Sequence, residues 1–177
     1  GGGVRVSALL GVYDRDIVIT SGKGARVTDT AGNTYLDFAA GVGVNGLGYG
    51  NAKVVAAIRK QAGRMIHASN LYDNQPASEL AARLVALSFP GKVFLCNSGT
   101  EAVEAAMKFA RRVGNAQGRT ELVAFEGSFH GHHDAVMVSC YPDLEELGPR
   151  ESPNPVPFGA GYPEPIVERT RPVPFND

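Results

Sequence analysis

The residues with the clearest chemical potential lie at a junction between an apolar run and a helical pattern. Ser98-Gly99-Thr100 follow the apolar residues 92–96 and precede a helical pattern over residues 102–112. A strand that delivers these residues to a helix would present unpaired backbone N–H groups and the positive end of the helix dipole, while glycine permits close approach. That arrangement is typical of a phosphate site. Ser98 and Glu101 also match a capping box, which starts a helix without any ligand, and on these residues alone the cap is the simpler interpretation.

A histidine-rich segment, His130-Gly131-His132-His133-Asp134, contains residue types that often bind metals. Its spacing is similar to the His-x-His-x-Asp-His motif of metallo-β-lactamase-type hydrolases. Ala135 stands where that motif has its last histidine, and the remaining histidine, His67, precedes the segment. The pattern therefore keeps a metal-dependent hydrolase only as a minor alternative, and no metal ligand is assigned.

A glycine-rich segment at residues 41–46 matches Gly-x-Gly-x-x-Gly and follows a predicted strand, as in a dinucleotide site. The next helical pattern begins only at about Asn51, and no acidic residue closes a second strand at the expected distance. In a chain with 22 glycines, a chance match is the better explanation. A nicotinamide-binding protein is thus a second alternative.

Charged residues on the helical pattern after Thr100 suggest no chemistry. Glu101 and Glu104 are spaced for exposed pairs with Lys108 and Arg111. Such pairs stabilise a helix by about 0.2–0.5 kcal/mol each. We interpret them as a solvated face.

The elements that must position these residues follow from hydrophobic periodicity and turn signals. Short β-like runs separated by turn residues predict a small antiparallel hairpin before residue 40, and amphipathic patterns predict helices after it. The predicted strands cover residues 17–20, 25–29, 34–38, 92–96, 121–125 and 135–139, and the predicted helices cover residues 51–66, 76–87 and 102–112. Strands that alternate with helices indicate an α/β fold with a mainly parallel sheet.

Composition describes a globular chain with a proline-rich tail. With 177 residues and 44% hydrophobic content, the chain has enough apolar side chains for one sizeable core. Nine of the 11 prolines follow Cys140, so residues 141–174 are predicted to form a long loop. A net charge of -1 excludes a strongly basic surface, so we expect no nucleic-acid partner. Two isolated cysteines and no long apolar span predict a cytoplasmic protein without a membrane partner.

The order of the longer motifs resembles a known family. The segments "GARVTDTAGNTYLDFAAGVGVNGLG", "HASNLYDNQPASELAARL", "CNSGTEAVEAAMKFAR" and "FEGSFHGHHDA" are similar to class III pyridoxal-phosphate aminotransferases, and the likeness begins at about Tyr13. It implies the N-terminal portion of a fold type I protein. Residues 1–50 would contribute to a small domain and dimer contacts, and residues 51–140 would begin the cofactor-binding large domain. Residues 141–177 would form a loop that leads to the rest of that domain.

The resemblance also implies roles for individual residues. Ser98, Gly99 and Thr100 would hold the phosphate of pyridoxal 5'-phosphate, and Phe129 would stack on its ring with His130 beside it. The segments around Val44 and Asn45 and around Ser69 and Asn70 would approach the substrate or the partner subunit of a homodimer, and His132 would face the substrate. Family members place the Schiff-base lysine further downstream than Asp177, so no catalytic residue is assigned and this chain alone is expected to be inactive.

The substrate remains open between two branches of the family. Acetylornithine- and ornithine-type members usually have arginine where this chain has His132, and an imidazole does not reproduce the bidentate guanidinium contact with a carboxylate. The segment "HGHHDAVMVS" is similar to the glutamate-1-semialdehyde aminomutase-like branch, which we place slightly first. The segment "HASNLYDNQPASELAARL" is similar to the acetylornithine-like branch, which is the alternative.

Overall fold

The computed structural model describes residues 16–176. They divide into two compact units between Asp73 and Asn74, and each unit is described by itself. The domain boundaries that the family resemblance implies, at residues 50 and 140, remain a prediction.

The described part of the first unit begins with a three-stranded antiparallel sheet, as the hairpin pattern predicts. Its strands are β1 (Ile19–Lys23), β2 (Arg26–Asp29) and β3 (Thr34–Leu36), in the order β1-β2-β3. The β2–β3 turn is held by Asp29, whose Oδ1 accepts hydrogen bonds from the N–H groups of Ala31 (2.8 Å) and Asn33 (2.9 Å). These bonds make the turn rigid and thereby set the register of the two strands.

The glycine-rich segment after β3 is a series of turns. Asp37 lies at the start of this segment and holds its two ends. Its Oδ1 accepts from the N–H groups of Ala39 and Ala40, and its Oδ2 accepts from the Tyr49 hydroxyl at 2.7 Å. Val42 has a positive φ of 58°, which is unusual for a β-branched residue. The strand before the segment is antiparallel and no helix begins until residue 52. The dinucleotide interpretation of residues 41–46 is therefore wrong, since that motif joins a parallel strand directly to a helix.

The predicted helix at Asn51 is confirmed. Helix α1 (Ala52–Ala62) begins where the Asn51 side chain accepts from the N–H groups of Lys53 and Val54. It ends at Ala62, four residues before the predicted end at residue 66, and Gly63 is its C-cap.

The second unit contains the remaining elements. They are α2 (Gln75–Leu87), α3 (Gly99–Asn115), β4 (Leu122–Phe125), a 3₁₀ turn (Asp134–Val136), α4 (Glu164–Val167) and β5 (Thr170–Val173). Strands β4 and β5 pair in parallel, with Leu122 opposite Thr170 and Phe125 opposite Val173. This pairing confirms the predicted parallel α/β character of the region.

Two predicted strands of this unit are not strands. Residues 92–96 pair with no other strand among residues 16–176, and the side chains of Phe94 and Leu95 are exposed. A strand is defined by ladder hydrogen bonds, so an apolar run without a paired neighbour does not form one. Residues 135–139 form the end of the 3₁₀ turn and a single bridge from Val138 to Pro157, because the His133 side chain caps the turn at the N–H of Ala135.

The proline-rich tail contains more regular structure than predicted. Strand β5 includes Pro172, although proline cannot donate to a ladder. The N–H of Leu122 donates to the carbonyl of Arg169, just before β5, and the N–H of Glu126 donates to the carbonyl of Val173. The backbone groups of the odd-numbered residues in this segment therefore face β4. The nitrogen of Pro172 thus points away from β4 and costs no ladder bond.

The core of the second unit joins α3 to the segments after β4. Met107, Ala135 and Val136 are buried together, and Val103, Leu122 and Ile166 pack against them. The segment after the 3₁₀ turn is buried as well, at Met137, Val138, Ser139, Cys140 and Val156. This core fixes the position of α3 relative to residues 133–140.

Candidate functional site

The N-terminus of α3 is a fully formed helix cap. The Ser98 hydroxyl oxygen accepts from the N–H of Glu101 at 3.2 Å, and Oε2 of Glu101 accepts from the N–H of Asn97 at 2.7 Å. The bond from the Asn97 backbone lowers the pKa of the Glu101 carboxyl group. The predicted capping contacts therefore exist, and the Ser98 hydroxyl is directed into the cap, within 3.4 Å of Glu101.

The same helix end leaves two consecutive donors available. The N–H of Ser98 interacts with the Glu101 carboxylate within the cap, whereas no acceptor among residues 16–176 pairs with the backbone N–H groups of Gly99 and Thr100. A Cβ atom added to Gly99 would have no heavy atom within 4 Å, so the space next to this backbone is open. Free donors, open space and the positive end of a 17-residue helix suit a phosphate group. The cap and the anion site are thus compatible and use different atoms.

The loop after β4 lies directly on this helix end. Gly131 has a φ of 104°, and a Cβ atom there would lie 2.9 Å from Cα of Thr100. The N–H of His132 donates to Oγ1 of Thr100 at 3.1 Å, across 32 residues of sequence. Only glycine permits so close a contact in this conformation. Gly99 and Thr100 are therefore brought next to the predicted residue His132.

The predicted aromatic residue belongs to the same loop. The ring of Phe129 contacts that of His132 edge to face, with centroids 5.2 Å apart, and 47% of Phe129 remains exposed. Nε2 of His130 is buried and has no hydrogen-bond partner among the described residues. The loop thus offers one accessible aromatic face and one unsatisfied ring nitrogen.

The sequence does not predict one further contact of this loop. Nε2 of His133 lies in close polar contact with Oε2 of Glu104, and Oε1 of Glu104 lies 3.4 Å from Nζ of Lys108. The pattern identifies only the Glu104–Lys108 pair. Because Thr100 and Glu104 are four residues apart on one helix, they lie on the same face, and this spacing is the signal for the missed contact.

The histidines do not gather as a metal motif would require. His132 contacts Phe129, whereas Oδ1 of Asp134 accepts from the N–H of Ala135 at 2.7 Å. In the part of the chain that the structure describes, no group of three or more His, Cys, Asp or Glu side chains is placed to hold a metal ion.

The residues predicted to face the substrate from the first unit are described within that unit. Val44 is exposed, and the N–H of Asn45 donates to the carbonyl of Ala40 at 2.8 Å. Ser69 has a positive φ of 59°. Their assignment to a substrate remains a prediction.

Known structures identify the class to which this fold belongs. An ω-transaminase from Sphaerobacter thermophilus superposes with a TM-score of 0.82 and 28% identity, covering 94% of this chain and 37% of that one. A transaminase with bound pyridoxal phosphate gives a TM-score of 0.78 and 30% identity, covering 94% and 37%. The fold is thus that of the fold type I transaminases, as predicted.

Sequence relatives narrow the class to a family. The model of class-III aminotransferases matches residues 11–168. Acetylornithine aminotransferases from Methanopyrus kandleri and Xanthomonas axonopodis pv. citri are 42% and 43% identical, over 95% and 92% of this chain. The chain belongs to the class III aminotransferase family, whose members use pyridoxal phosphate, so the predicted family and its cofactor are confirmed. It spans 40% and 38% of the lengths of these two curated relatives.

Within residues 16–176, no helix is both long enough and apolar enough to cross a bilayer.

Proposed function

We propose that the protein at its natural length is a pyridoxal-phosphate-dependent aminotransferase, and that this chain supplies its phosphate cradle and ring-facing loop. One observation carries the proposal. The free N–H groups of Gly99 and Thr100 lie at a helix end on which the loop of Phe129 and His132 is seated. Membership of the class III family gives these atoms a ligand with both a phosphate and a ring.

The residues present fit the parts of this cofactor. When bound, pyridoxal phosphate supplies the electron sink that amino transfer requires. The backbone N–H groups of Gly99 and Thr100 would bind its phosphate, and Gly99 leaves room for it. The exposed face of Phe129 would restrain the ring, and His130 beside it would offer its unsatisfied Nε2 to a polar group.

Substrate binding is proposed for His132, Val44 and Asn45. The relatives described above are acetylornithine aminotransferases, so we now place acetylornithine-type amino transfer ahead of the aminomutase reaction. The aminomutase-like branch remains the second candidate because an imidazole at position 132 makes a weaker carboxylate contact than a guanidinium group. Kinetics with acetylornithine and with glutamate 1-semialdehyde would decide between them.

We also propose a cytoplasmic homodimer, as the family resemblance implies. Phe38 and Val42, which lie in the turns of the first unit, are 94% and 97% exposed and would be covered in a dimer. Sedimentation of the protein at its natural length would test this, and a monomer at micromolar concentration would contradict it.

The cradle is tested by exchanging Gly99. Proline fits the first position of a helix, and Ser98 before it already has the extended conformation (φ -150°, ψ 161°) that a residue preceding proline needs. Gly99→Pro therefore keeps the helix but removes one N–H and fills the open space. We expect the affinity for pyridoxal phosphate to fall about ten-fold or more, because hydrogen bonds to a charged group are lost.

Gly99→Ala is the matched control, since it keeps the N–H. Titration is followed by the visible absorbance of bound pyridoxal phosphate, with pyridoxal as a second ligand that lacks the phosphate. Equal losses for both ligands in Gly99→Pro would contradict the cradle. Absence of any binding by the wild-type protein would overturn the proposed function.

A further inference from the structure

The contact between Glu104 and His133 is the second of two attachments between α3 and the loop after β4. The first attachment joins Thr100 to the N–H of His132. The second joins Glu104, one turn further along the same face of α3, to His133, the next residue of the loop. Gly131 packs against Thr100 as well. Three consecutive loop residues are therefore fixed to two consecutive turns of one helix.

The imidazole of His133 uses its two nitrogens for different purposes. Because Nδ1 accepts from an N–H, the ring proton lies on Nε2, which faces Oε2 of Glu104. This buried oxygen has no partner with hydrogen-bond geometry in the part of the chain that the structure describes, so the Nε2 contact is its polar neighbour. Nδ1 lies 3.2 Å from the N–H of Ala135, which it caps, and 3.2 Å from Oδ1 of Asp134. One side of the ring thus shapes the 3₁₀ turn, and the other side binds α3.

The pair lies outside the buried core. The side chains of His133 and Glu104 are 28% and 31% exposed, and neither belongs to the cluster of Met107, Ala135 and Val136. From His133 the loop continues through His132 to the ring of Phe129, which His132 contacts. The separation between the free N–H groups of α3 and that ring depends on where the loop is attached.

We propose that Glu104 and His133 are positioning residues that hold the Phe129 loop at the distance from the α3 N-terminus that one bound cofactor requires. This inference rests on the proposed function. A phosphate at residues 98–100 and a ring at Phe129 belong to one rigid molecule, so a displaced loop weakens binding of the whole cofactor without altering the phosphate cradle.

Two substitutions of His133 test the roles of its two ring nitrogens separately. Asparagine places an acceptor near the position of Nδ1 and does not reach Glu104, whereas glutamine places a donor near the position of Nε2 and is a poorer cap. In the protein at its natural length, we expect His133→Asn to weaken pyridoxal phosphate binding about ten-fold, because the polar contact with the charged Glu104 carboxylate is lost. His133→Gln should restore most of that affinity.

The inhibition constant of inorganic phosphate, measured by competition, reports on the cradle alone. We expect it to stay within about two-fold of the wild-type value in both variants, because no backbone N–H of residues 98–100 is altered. The circular dichroism of the bound cofactor reports on its ring and should change in His133→Asn. Glu104→Gln, which keeps an acceptor and nearly the same volume, is the second variant and should resemble His133→Gln.

Two results would overturn the inference. One is weaker cofactor binding in His133→Gln than in His133→Asn, which would assign the effect to the cap. The other is a parallel loss of inorganic phosphate and pyridoxal phosphate, which would indicate general damage to α3. If the wild-type protein binds inorganic phosphate but no pyridoxal phosphate, the proposed function fails and this inference fails with it. Wild-type binding of the cofactor with variants that bind equally well refutes the positioning role alone.

Discussion

Helices α2 and α3 have similar sequence patterns and different surroundings. Both are amphipathic and both begin at a side-chain cap. Met107 of α3 is 6% exposed within a cluster of buried residues. On the apolar face of α2, Leu84 is 42% exposed and Leu87 is 86% exposed.

This difference shows that periodicity identifies the face of a helix that is apolar, and that burial requires a second surface. For α3, that surface is the segment after β4, which approaches because Gly131 permits close contact with Thr100. The same contact places the loop that carries Phe129 against Thr100 at the N-terminus of α3. The close contact at Gly131 therefore accounts both for the burial of one face of α3 and for the candidate site at its N-terminus.

The largest expected difference between α2 and α3 comes from removing one apolar side chain from each helix. Met107→Ala should lower the free energy of unfolding by about 3 kcal/mol, because a buried side chain is lost and a cavity remains. Leu84→Ala should cost less than about 1 kcal/mol, since a half-exposed side chain loses little burial. Urea unfolding of both variants measures the two values.

Equal losses in these two variants would break the comparison. They would mean that the face of α2 is covered by a surface outside residues 16–176.

Gly131 tests the close contact on which the α3 site depends. Gly131→Ala should cost about 2 kcal/mol or more, because the positive φ is strained and Cβ would lie 2.7 Å from Oγ1 of Thr100. Gly127→Ala is the matched control, with a φ of 72° and no atom within 4 Å of the added Cβ. It should show the conformational cost alone, about 1–2 kcal/mol. Thermal unfolding measures both variants, and pyridoxal phosphate affinity should fall only in Gly131→Ala.

The helix caps should make similar contributions in both helices, despite the difference in burial. Asn74 caps α2 by accepting from the N–H of Ala77 at 3.0 Å, and Ser98 caps α3 by accepting from the N–H of Glu101 at 3.2 Å. Replacing either by alanine should cost about 1 kcal/mol in urea unfolding. A much larger loss in Ser98→Ala would assign its hydroxyl a second role beyond the cap.

The smallest expected effect is a pH dependence that α3 has and α2 lacks, since α2 has no acidic residue in its first turn. The bond from the Asn97 N–H lowers the pKa of Glu101 below its usual 4.5. Its stabilising contribution is therefore complete above about pH 4.5 and is lost as the pH falls through the lowered pKa. Glu101→Gln should flatten the dependence of unfolding free energy on pH in this range, and an unchanged slope would contradict the assignment.

The local elements of the fold were predictable because their signals are short-range. Asn51 and Ser98 satisfy the first N–H groups of their helices, and Asp29 closes the β2–β3 turn. The errors concern long-range pairing. Residues 92–96 are apolar enough for a strand but have no paired neighbour in the described chain, whereas β5 forms beside β4 despite Pro172. A ladder depends on two segments, and the pattern of one segment does not reveal the other.

In the candidate site, too, the residues with short-range signals were predicted and a long-range contact was not. Ser98, Gly99 and Thr100 were identified from residue types and their place before a helix, and Phe129 and His130 from the resemblance of a longer motif. The contact of His133 with Glu104 was missed because Glu104 also satisfies the simpler i, i+4 pairing with Lys108. A charged residue on a helix has several possible partners, and spacing alone favours the nearest one.

Residue types and spacing were sufficient to determine where helices begin, which turns are tight and which backbone N–H groups are left free, since each depends on atoms within a few residues. Two features depended on the packing of segments that are distant in sequence. They are the burial of Met107 and the approach of the Phe129 loop to Thr100, across 32 residues between Thr100 and His132. Their physical cause is steric: the 129–133 loop reaches the helix because residue 131 has no side chain at the point of contact.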